Sequence, residues 1–268
     1  GMKYNFKGSF RIVFISLLVL LCGVLIKFVF EEEDVSYHNK EVYTTINNDK
    51  TSKTTNQDLE ISNKDTNITY DKVAYITIDD GPSKFTKQIL DILDRNNVKA
   101  TFFMINKNMN IYKDEVKRIQ QDGHGAGFHS VSHDVKRLYK TPQATLEEFS
   151  ICRDTYYKIT GETSNLVRIP YGSKPYTPEE SYKILIENNF LVWDWNLDTE
   201  DWKATTDNIV SNVLLNGRNK DELVLLIHEK EQTVEALDGI IKVLKERGYQ
   251  ILPITEDIEA MNFWSKNL

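Results

Sequence analysis

The chain has 268 residues, of which 40% are hydrophobic and 27% are charged, and its formal net charge at pH 7 is −7. An acidic chain with a pI near 5.4 and no basic cluster is a poor partner for a polyanion, so we expect no nucleic-acid ligand. Cys152 is the only cysteine after residue 30, which excludes a disulfide-rich secreted module.

An apolar run near the amino terminus, residues 12–30, predicts a transmembrane helix. Three basic residues precede the run, and within it only Lys27 is charged. At about 1.5 Å per helical residue the run spans roughly 28 Å, close to the thickness of a bilayer core. We therefore expect residues 1–30 to form a short cytoplasmic tip followed by a membrane anchor.

The charges on either side of the run orient this anchor. Basic residues before it and the acidic stretch 31–34 after it place the amino terminus in the cytoplasm and the rest of the chain outside the cell. A cleaved signal peptide is the alternative, but no small-x-small cleavage site follows the run. We therefore expect a single-pass protein of the cell membrane with an extracellular domain.

Residues 31–72 differ in composition from the segments on both sides. They are rich in Asn, Thr, Lys and Asp, contain few large apolar residues and have no sustained hydrophobic period. Such a segment cannot bury a core, so we interpret it as a disordered stalk. The folded domain is then expected to occupy residues 73–268.

Short apolar runs alternate with amphipathic helical segments from residue 73 onward. The runs that predict strands are 73–78, 100–105, 123–128, 166–169, 190–197, 222–227 and 249–254. Such alternation is typical of βα units around a parallel sheet, either wound open or closed as a barrel. Seven units in roughly 195 residues favour an α/β barrel.

Polar residues follow most of these strands. Ligands of parallel α/β folds bind at the carboxyl ends of strands, so these residues should converge on one rim. They are Asp79 and Asp80 after the first strand, His129 and His133 after the third, Arg168 in the fourth, Asp198 and Asp201 after the fifth, and His228 at the end of the sixth.

Two histidines four residues apart, His129 and His133, can point both imidazoles the same way. With one carboxylate, from Asp79 or Asp80, they make a three-ligand site with an open position, the pattern of a catalytic zinc. The other aspartate could then accept a proton from water. Zinc is the expected divalent metal, and cobalt, nickel or manganese suit the same ligands. A hydrogen-bonded turn and a helix-capping aspartate are the structural alternatives.

Two further residues at the rim suit acid–base chemistry. Arg168 is a cation that could orient the base and hold its pKa. His228 could protonate a leaving group, and a purely structural hydrogen bond to a buried His228 is the alternative.

Five short segments occur in a distinctive order and spacing. They are TIDDG (77–81), HSVSH (129–133), RIPYG (168–172), DTEDW (198–202) and LLIH (225–228). In this order they resemble the motifs of the polysaccharide deacetylases, carbohydrate esterase family 4, also called the NodB-homology domain. The resemblance covers residues 73 to about 255. It implies a distorted (β/α) barrel with seven or eight strands.

The resemblance also implies a role for each matching position. Asp79 resembles the catalytic base, and Arg168 resembles the partner of that base. The residues that resemble the metal ligands are Asp80, His129 and His133.

The remaining motif positions resemble the acid and the substrate pocket. His228 is similar to the general acid, and Asp201 is similar to the carboxylate that tunes it. The main-chain N–H of Tyr171 resembles the donor to the oxyanion, while Trp202 and Leu226 resemble the wall and the apolar floor of the acetyl pocket.

Two positions depart from the family pattern. Ile78 stands where Phe is common, and Glu229 follows the general acid where Asp is usual. The exchange at Ile78 is a conservative apolar one, whereas Glu229 concerns the surroundings of His228.

The implied activity is metal-dependent hydrolysis of N-acetyl groups on a cell-surface polysaccharide. For an anchored extracellular enzyme on a stalk the nearest abundant polymer is peptidoglycan, so its N-acetylglucosamine is the first expected substrate. Poly-N-acetylglucosamine, chitin oligomers and acetylxylan are alternatives, as is a catalytically inactive surface protein that binds glycan. The apolar run 12–30 disfavours a cytoplasmic deacetylase of a small metabolite.

Overall fold

The computed structural model of this protein describes residues 69–268. The predicted anchor, residues 1–30, and nearly all of the predicted stalk, residues 31–72, lie outside the described residues. None of the helices between residues 69 and 268 has the length and apolar character that a bilayer crossing requires.

Strands and helices alternate along the described part of the chain. The strands are β1 (Val73–Asp79), β2 (Thr101–Met104), β3 (Gly125–Phe128), β4 (Leu166–Val167), β5 (Leu191–Val192), β6 (Leu197–Asp198), β7 (Glu222–His228) and β8 (Gln250–Ile251). The helices are α1 (Thr86–Arg95), α2 (Asn106–Ile111), α3 (Lys113–Gln121), α4 (Val135–Leu138), α5 (Pro142–Thr160), α6 (Glu179–Glu187), α7 (Thr206–Asn216) and α8 (Glu231–Glu246).

The sheet is parallel at every strand pair within residues 69–268. Its order is β5-β4-β3-β2-β1-β7-β6, and β8 pairs with the first residues of β1. This confirms the predicted α/β class, and the strand count agrees with the seven or eight expected. No pairing joins β5 to β6 in this range, so the sheet is a half-barrel, consistent with a distorted (β/α) barrel.

The prediction of one continuous strand over residues 190–197 is wrong. This stretch forms two short strands, β5 and β6, with four residues between them. The Trp193 amide still donates to the Val167 carbonyl of β4 (2.9 Å), whereas the Asn196 amide donates to the Val224 carbonyl of β7 (3.1 Å). The chain passes here from one end of the sheet to the other, and one straight strand could not pair with both.

The two faces of β1 and β7 pack against different parts of the protein. One face of β1 packs under the helices through Ala74, Ile76 and Ile78. The opposite face carries Tyr75, which packs against Trp193, and the two-residue period of a strand then brings Asp79 to the same face. The same alternation on β7 places Val224, Leu226 and His228 there. Asp79 and His228 are also register partners, so the two strands end on adjacent polar residues.

Helix α5 supports the loop after β3. It begins after Thr141, whose hydroxyl accepts the Ala144 amide at 3.0 Å, and it ends at Gly161 in the left-handed conformation (φ 77°). Its buried residues are Thr145, Phe149, Cys152 and Tyr156. Burial of this face fixes the rotation of the helix and turns Glu148 toward the loop after β3.

Candidate active site

A cavity of about 530 Å³ lies at the carboxyl ends of β1, β3 and β7. Eight residues with predicted roles line it: Asp79, Asp80, His129, His133, Tyr171, Trp202, Leu226 and His228. Asp198, predicted to lie at the same rim, lines it as well. The other two residues with predicted roles, Arg168 and Asp201, are fully buried behind the cavity, where they contact Asp79 and His228 respectively. The fold therefore brings all ten predicted residues together.

Asp80, His129 and His133 form a group that could hold a metal ion. One ligand atom from each residue lies within 4.8 Å of the other two. Oδ1 of Asp80 is 3.4 Å from Nε2 of His133 and 3.6 Å from Nε2 of His129. This oxygen is buried and has no hydrogen-bond partner among the described residues. An unpartnered carboxylate oxygen beside two imidazole nitrogens fits a divalent cation.

The ionisation of this group also suits metal binding. Nδ1 of His129 lies 2.7 Å from the Arg168 carbonyl oxygen, so Nδ1 carries the proton and Nε2 offers its lone pair to the site. Burial lowers the pKa of His129, which keeps the ring neutral. Burial alone would raise the pKa of Asp80, but the close contact with His133 and the charges of the neighbouring histidines lower it to about 2. The aspartate is therefore ionised at neutral pH.

Four non-glycine residues at or beside the cavity have strained backbone. Left-handed φ angles occur at Asp80 (72°), Ser130 (71°), His133 (49°) and Tyr171 (67°). Each such non-glycine residue costs on the order of 1–3 kcal/mol and persists only when its surroundings hold it. One such support is Asn108, whose side-chain amide donates to the Asp80 carbonyl at 2.8 Å.

Asp79 is held by a buried arginine. Nη1 of Arg168 donates to Oδ1 of Asp79 at 3.1 Å and to the hydroxyl of Thr77 at 2.5 Å. Nε and Nη2 of Arg168 donate to the carbonyls of Trp193 and Asp194 at 3.0 and 2.8 Å. With its first oxygen held in this way, Asp79 turns the second, Oδ2, toward Nε2 of His129 at 3.7 Å.

His228 is oriented by Asp201, a fully buried carboxylate. Oδ1 of Asp201 accepts from Nδ1 of His228 at 2.8 Å, and Oδ2 accepts from the His228 amide and the Thr233 hydroxyl, both at 2.6 Å. Burial alone would lower the pKa of His228, but the hydrogen bond to Asp201 and the charges of Asp79 and Asp80 raise it above its ordinary value. Nε2 of His228 is left to face the cavity.

Three predicted residues offer surfaces for a substrate. The side chains of Tyr171 and Trp202 are 58% and 55% exposed, whereas Leu226 is 5% exposed and forms part of the cavity wall. No hydrogen bond between described residues uses the Tyr171 amide. This N–H is therefore free to donate to a ligand.

Glu148 was not predicted as a site residue. Its carboxylate accepts from the amides of Val131 and Ser132 at 3.0 and 2.9 Å and from the Ser132 hydroxyl at 2.7 Å. These bonds fix the loop that carries His129 and His133. The helical period of α5 does not predict that Glu148 supports the site, because its hydrogen-bond partners lie in a loop that precedes this helix.

Glu229 lies outside the cavity lining and supports the turn after β1. Its Oε2 accepts from the hydroxyls of Ser83 and Thr86 at 2.5 and 2.6 Å, and burial raises its pKa. A Cβ added at Gly81 would lie 2.0 Å from Oε1 of Glu229, so a larger residue here would displace the Glu229 carboxylate. In the sequence, the one signal at this position is that Glu229 stands where the family usually has Asp.

Comparisons with known proteins identify the family of this chain. The family model for polysaccharide deacetylases matches residues 66–185. A Bacillus subtilis protein named YheN, assigned by its name to the polysaccharide deacetylases, is 38% identical over 255 residues, or 90% of each chain. A peptidoglycan-N-acetylglucosamine deacetylase of Bacillus cereus is 37% identical over 204 residues, covering 73% of this chain and 74% of the relative.

A solved structure gives the same result for the fold. The crystal structure of the polysaccharide deacetylase Bc1974 from Bacillus cereus matches with a TM-score of 0.70 and 38% identity, covering 73% of this chain and 98% of that one. The fold and site are those of a hydrolase that acts on N-acetyl amide bonds. The chain belongs to the polysaccharide deacetylase family, carbohydrate esterase family 4, whose members use a divalent metal.

Loss of the Glu148 carboxylate should weaken metal binding. Glu148→Ala leaves two loop amides without their acceptor, so we expect affinity for Zn²⁺ to fall about tenfold, at the low end of the effect of outer-shell partners. Calorimetric titration of the metal-free protein with Zn²⁺ measures this. Glu147→Ala, an exposed neighbour on the same helix, is the control. Equal affinity in a folded Glu148→Ala protein would contradict the role.

Proposed function

We propose that this protein removes the acetyl group from N-acetylglucosamine residues of peptidoglycan. The observation that carries the proposal is the complete set of groups in one cavity: Asp80, His129 and His133 beside a buried Asp79, with His228 facing them. The Bacillus cereus relative named for this activity supports the choice of substrate. A surface protein that only binds glycan would not need this set.

Asp80, His129 and His133 would hold the divalent cation, with Zn²⁺ the first choice and Co²⁺, Ni²⁺ or Mn²⁺ also suited to these ligands. When bound, the cation supplies Lewis-acid chemistry, since it stabilises negative charge on oxygen and lowers the pKa of water.

Asp79 acts as the general base. It accepts a proton from the water that attacks the acetyl carbonyl carbon, and Arg168 holds Asp79 in the orientation that this transfer needs. Arg168 also compensates the negative charge that Asp79 buries.

His228 acts as the general acid. It donates its Nε2 proton to the departing amine as the carbon–nitrogen bond breaks, while Asp201 holds the ring through Nδ1. The Tyr171 amide donates to the developing oxyanion, where a fixed donor stabilises the transition state more than the ground state. Trp202 and Leu226 enclose the acetyl methyl group.

The cell surface is the proposed location. The apolar run 12–30, with basic residues before it and acidic residues after it, supports a membrane anchor with the deacetylase domain, residues 73–268, outside the cell. A stalk over residues 31–72 would give the domain reach into the cell wall.

Acetate release by the full chain tests the proposed function. We expect release from peptidoglycan in the presence of Zn²⁺, at a higher rate than from poly-N-acetylglucosamine, chitin oligomers or acetylxylan. If acetate is released only from one of the other polymers, that polymer is the substrate and the proposal of peptidoglycan is wrong. Glycan binding without release from any polymer would establish the inactive alternative.

The same assay separates the two aspartates. Asp79→Asn should keep the metal, since its ligands remain, and lose roughly 10²- to 10⁴-fold in rate, because an amide cannot act as the base. Asp80→Asn should instead bind metal more weakly and recover part of its rate in excess metal. Loss of metal from Asp79→Asn but not from Asp80→Asn would reverse the assignment.

The pH profile tests the pair formed by His228 and Asp201. A general acid works in its protonated form, so activity is lost as the pH rises through the pKa of His228. Because Asp201 raises that pKa, Asp201→Asn should move the alkaline limb of the kcat/KM profile to lower pH. Asp207→Asn, an exposed residue of α7, is the control, and an unmoved limb in Asp201→Asn would exclude His228 as the acid.

Membrane anchoring has its own test. After fractionation of the host, we expect the protein in the membrane fraction with its apolar run intact. A form in the medium whose sequenced amino terminus lies between residues 30 and 40 would show cleavage instead.

A further inference from the structure

A second cavity adjoins the candidate active site. It has a volume of about 680 Å³ and is lined by Ser132, His133, Asp134, Val135, Lys136, Tyr171 and Tyr176. Three of these residues, His133, Tyr171 and Tyr176, also line the first cavity. The two cavities therefore meet along a shared wall, and a chain of sugars with one unit in the first would extend into the second.

The shared wall presents aromatic side chains. Tyr171 and Tyr176 are each 58% exposed, and the Tyr171 ring meets the His133 ring edge-on with centroids 5.1 Å apart. The segment that carries Tyr176 is held by a 2.7 Å hydrogen bond between the hydroxyls of Thr177 and Tyr139. Exposed aromatic rings on a supported backbone are suited to packing against a sugar ring.

The charges in the second cavity leave one cation without a partner in the described part of the chain. Oδ1 of Asp134 accepts from the amides of Lys136 and Arg137 at 2.8 and 3.4 Å, so this carboxylate caps helix α4. The exposed Lys136 side chain forms no salt bridge with another residue in the range 69–268. A ligand that carries a carboxylate would supply the missing partner.

We propose that this second cavity binds the sugar adjacent to the one that is deacetylated, with Tyr176 against the ring and Lys136 paired with a carboxylate on its substituent. The neutral glycans among the alternative substrates have no such group, whereas the peptide-bearing sugars of peptidoglycan do. This inference rests on the proposed function and deepens it. Lys136 and Tyr176 are then specificity residues that act in binding and not in the chemical step.

The experiment compares two forms of one substrate. Solubilised peptidoglycan strands are used as such and after chemical conversion of their carboxylates to amides. For the wild-type full chain, amidation should raise KM roughly 2- to 5-fold, as expected for an exposed ion pair, with little change in kcat. Lys136→Gln should show the raised KM on untreated strands and no further effect of amidation. Lys136→Arg should restore the wild-type pattern.

Controls separate the inference from a general loss of activity. Lys140→Gln removes an exposed charge that does not line the cavity, and Tyr157→Ala removes a tyrosine that is 60% exposed on helix α5. Both should behave as wild type, whereas Tyr176→Ala should raise KM roughly 3- to 10-fold on both forms of the substrate.

The outcomes distinguish this inference from the proposed function. If the wild type releases acetate from peptidoglycan but amidation affects wild type and Lys136→Gln equally, the charge-pairing subsite is overturned and the function stands. An unchanged KM in Tyr176→Ala overturns the aromatic part. If the wild type releases no acetate from either form, the proposed function fails and the subsite fails with it.

Discussion

The site depends on the hydrogen bonds that the fully buried guanidinium group of Arg168 donates. Removal of an ion from water costs several kcal/mol, and Arg168 offsets this with hydrogen bonds to Thr77, Asp79 and two carbonyls of the segment 193–194. The carbonyl of Arg168 itself accepts from His129. One buried residue thereby orients both the proposed base and a metal ligand, so a shift of any strand around it would disturb both.

The break in the predicted strand 190–197 serves this arrangement. Between β5 and β6 the chain turns two carbonyls toward Arg168, which an uninterrupted ladder would have used in pairing. In the same segment the buried Asp194 carboxylate accepts the amides of Ser173 and Phe263, both at 2.8 Å. It ties the loop that begins with Tyr171 to the carboxyl-terminal residues. Local loss of strand pairing is therefore part of how the cavity wall is held.

Supports from different parts of the chain hold the strained residues that face the cavity. Asn108 of α2 binds the carbonyl of Asp80, Glu148 of α5 binds the loop before His133, and Glu229 packs against the turn after β1. Left-handed backbone at a ligand position is stable only where such contacts outweigh its cost. These contacts hold the backbone of the ligand group through atoms other than the ligand atoms, which reduces the ordering that cation binding requires.

The βα alternation, the parallel sheet and the convergence of polar strand ends are predictable from the amino-acid sequence, because hydrophobic periods of two and 3.6 residues and the position of strand ends are local properties. The motifs also predicted the ten residues that the fold brings together at the cavity. Residue chemistry alone allowed either Asp79 or Asp80 to complete the group with the two histidines, and the family resemblance favoured Asp80. The tertiary structure places Asp80 with the histidines and pairs Asp79 with Arg168. It also decided where the strand 190–197 breaks and which acids brace the loops. These features depend on hydrogen bonds between segments far apart in the sequence, such as the bond from Thr86 to Glu229, which are 143 positions apart. A local sequence pattern does not predict which distant group will be the partner.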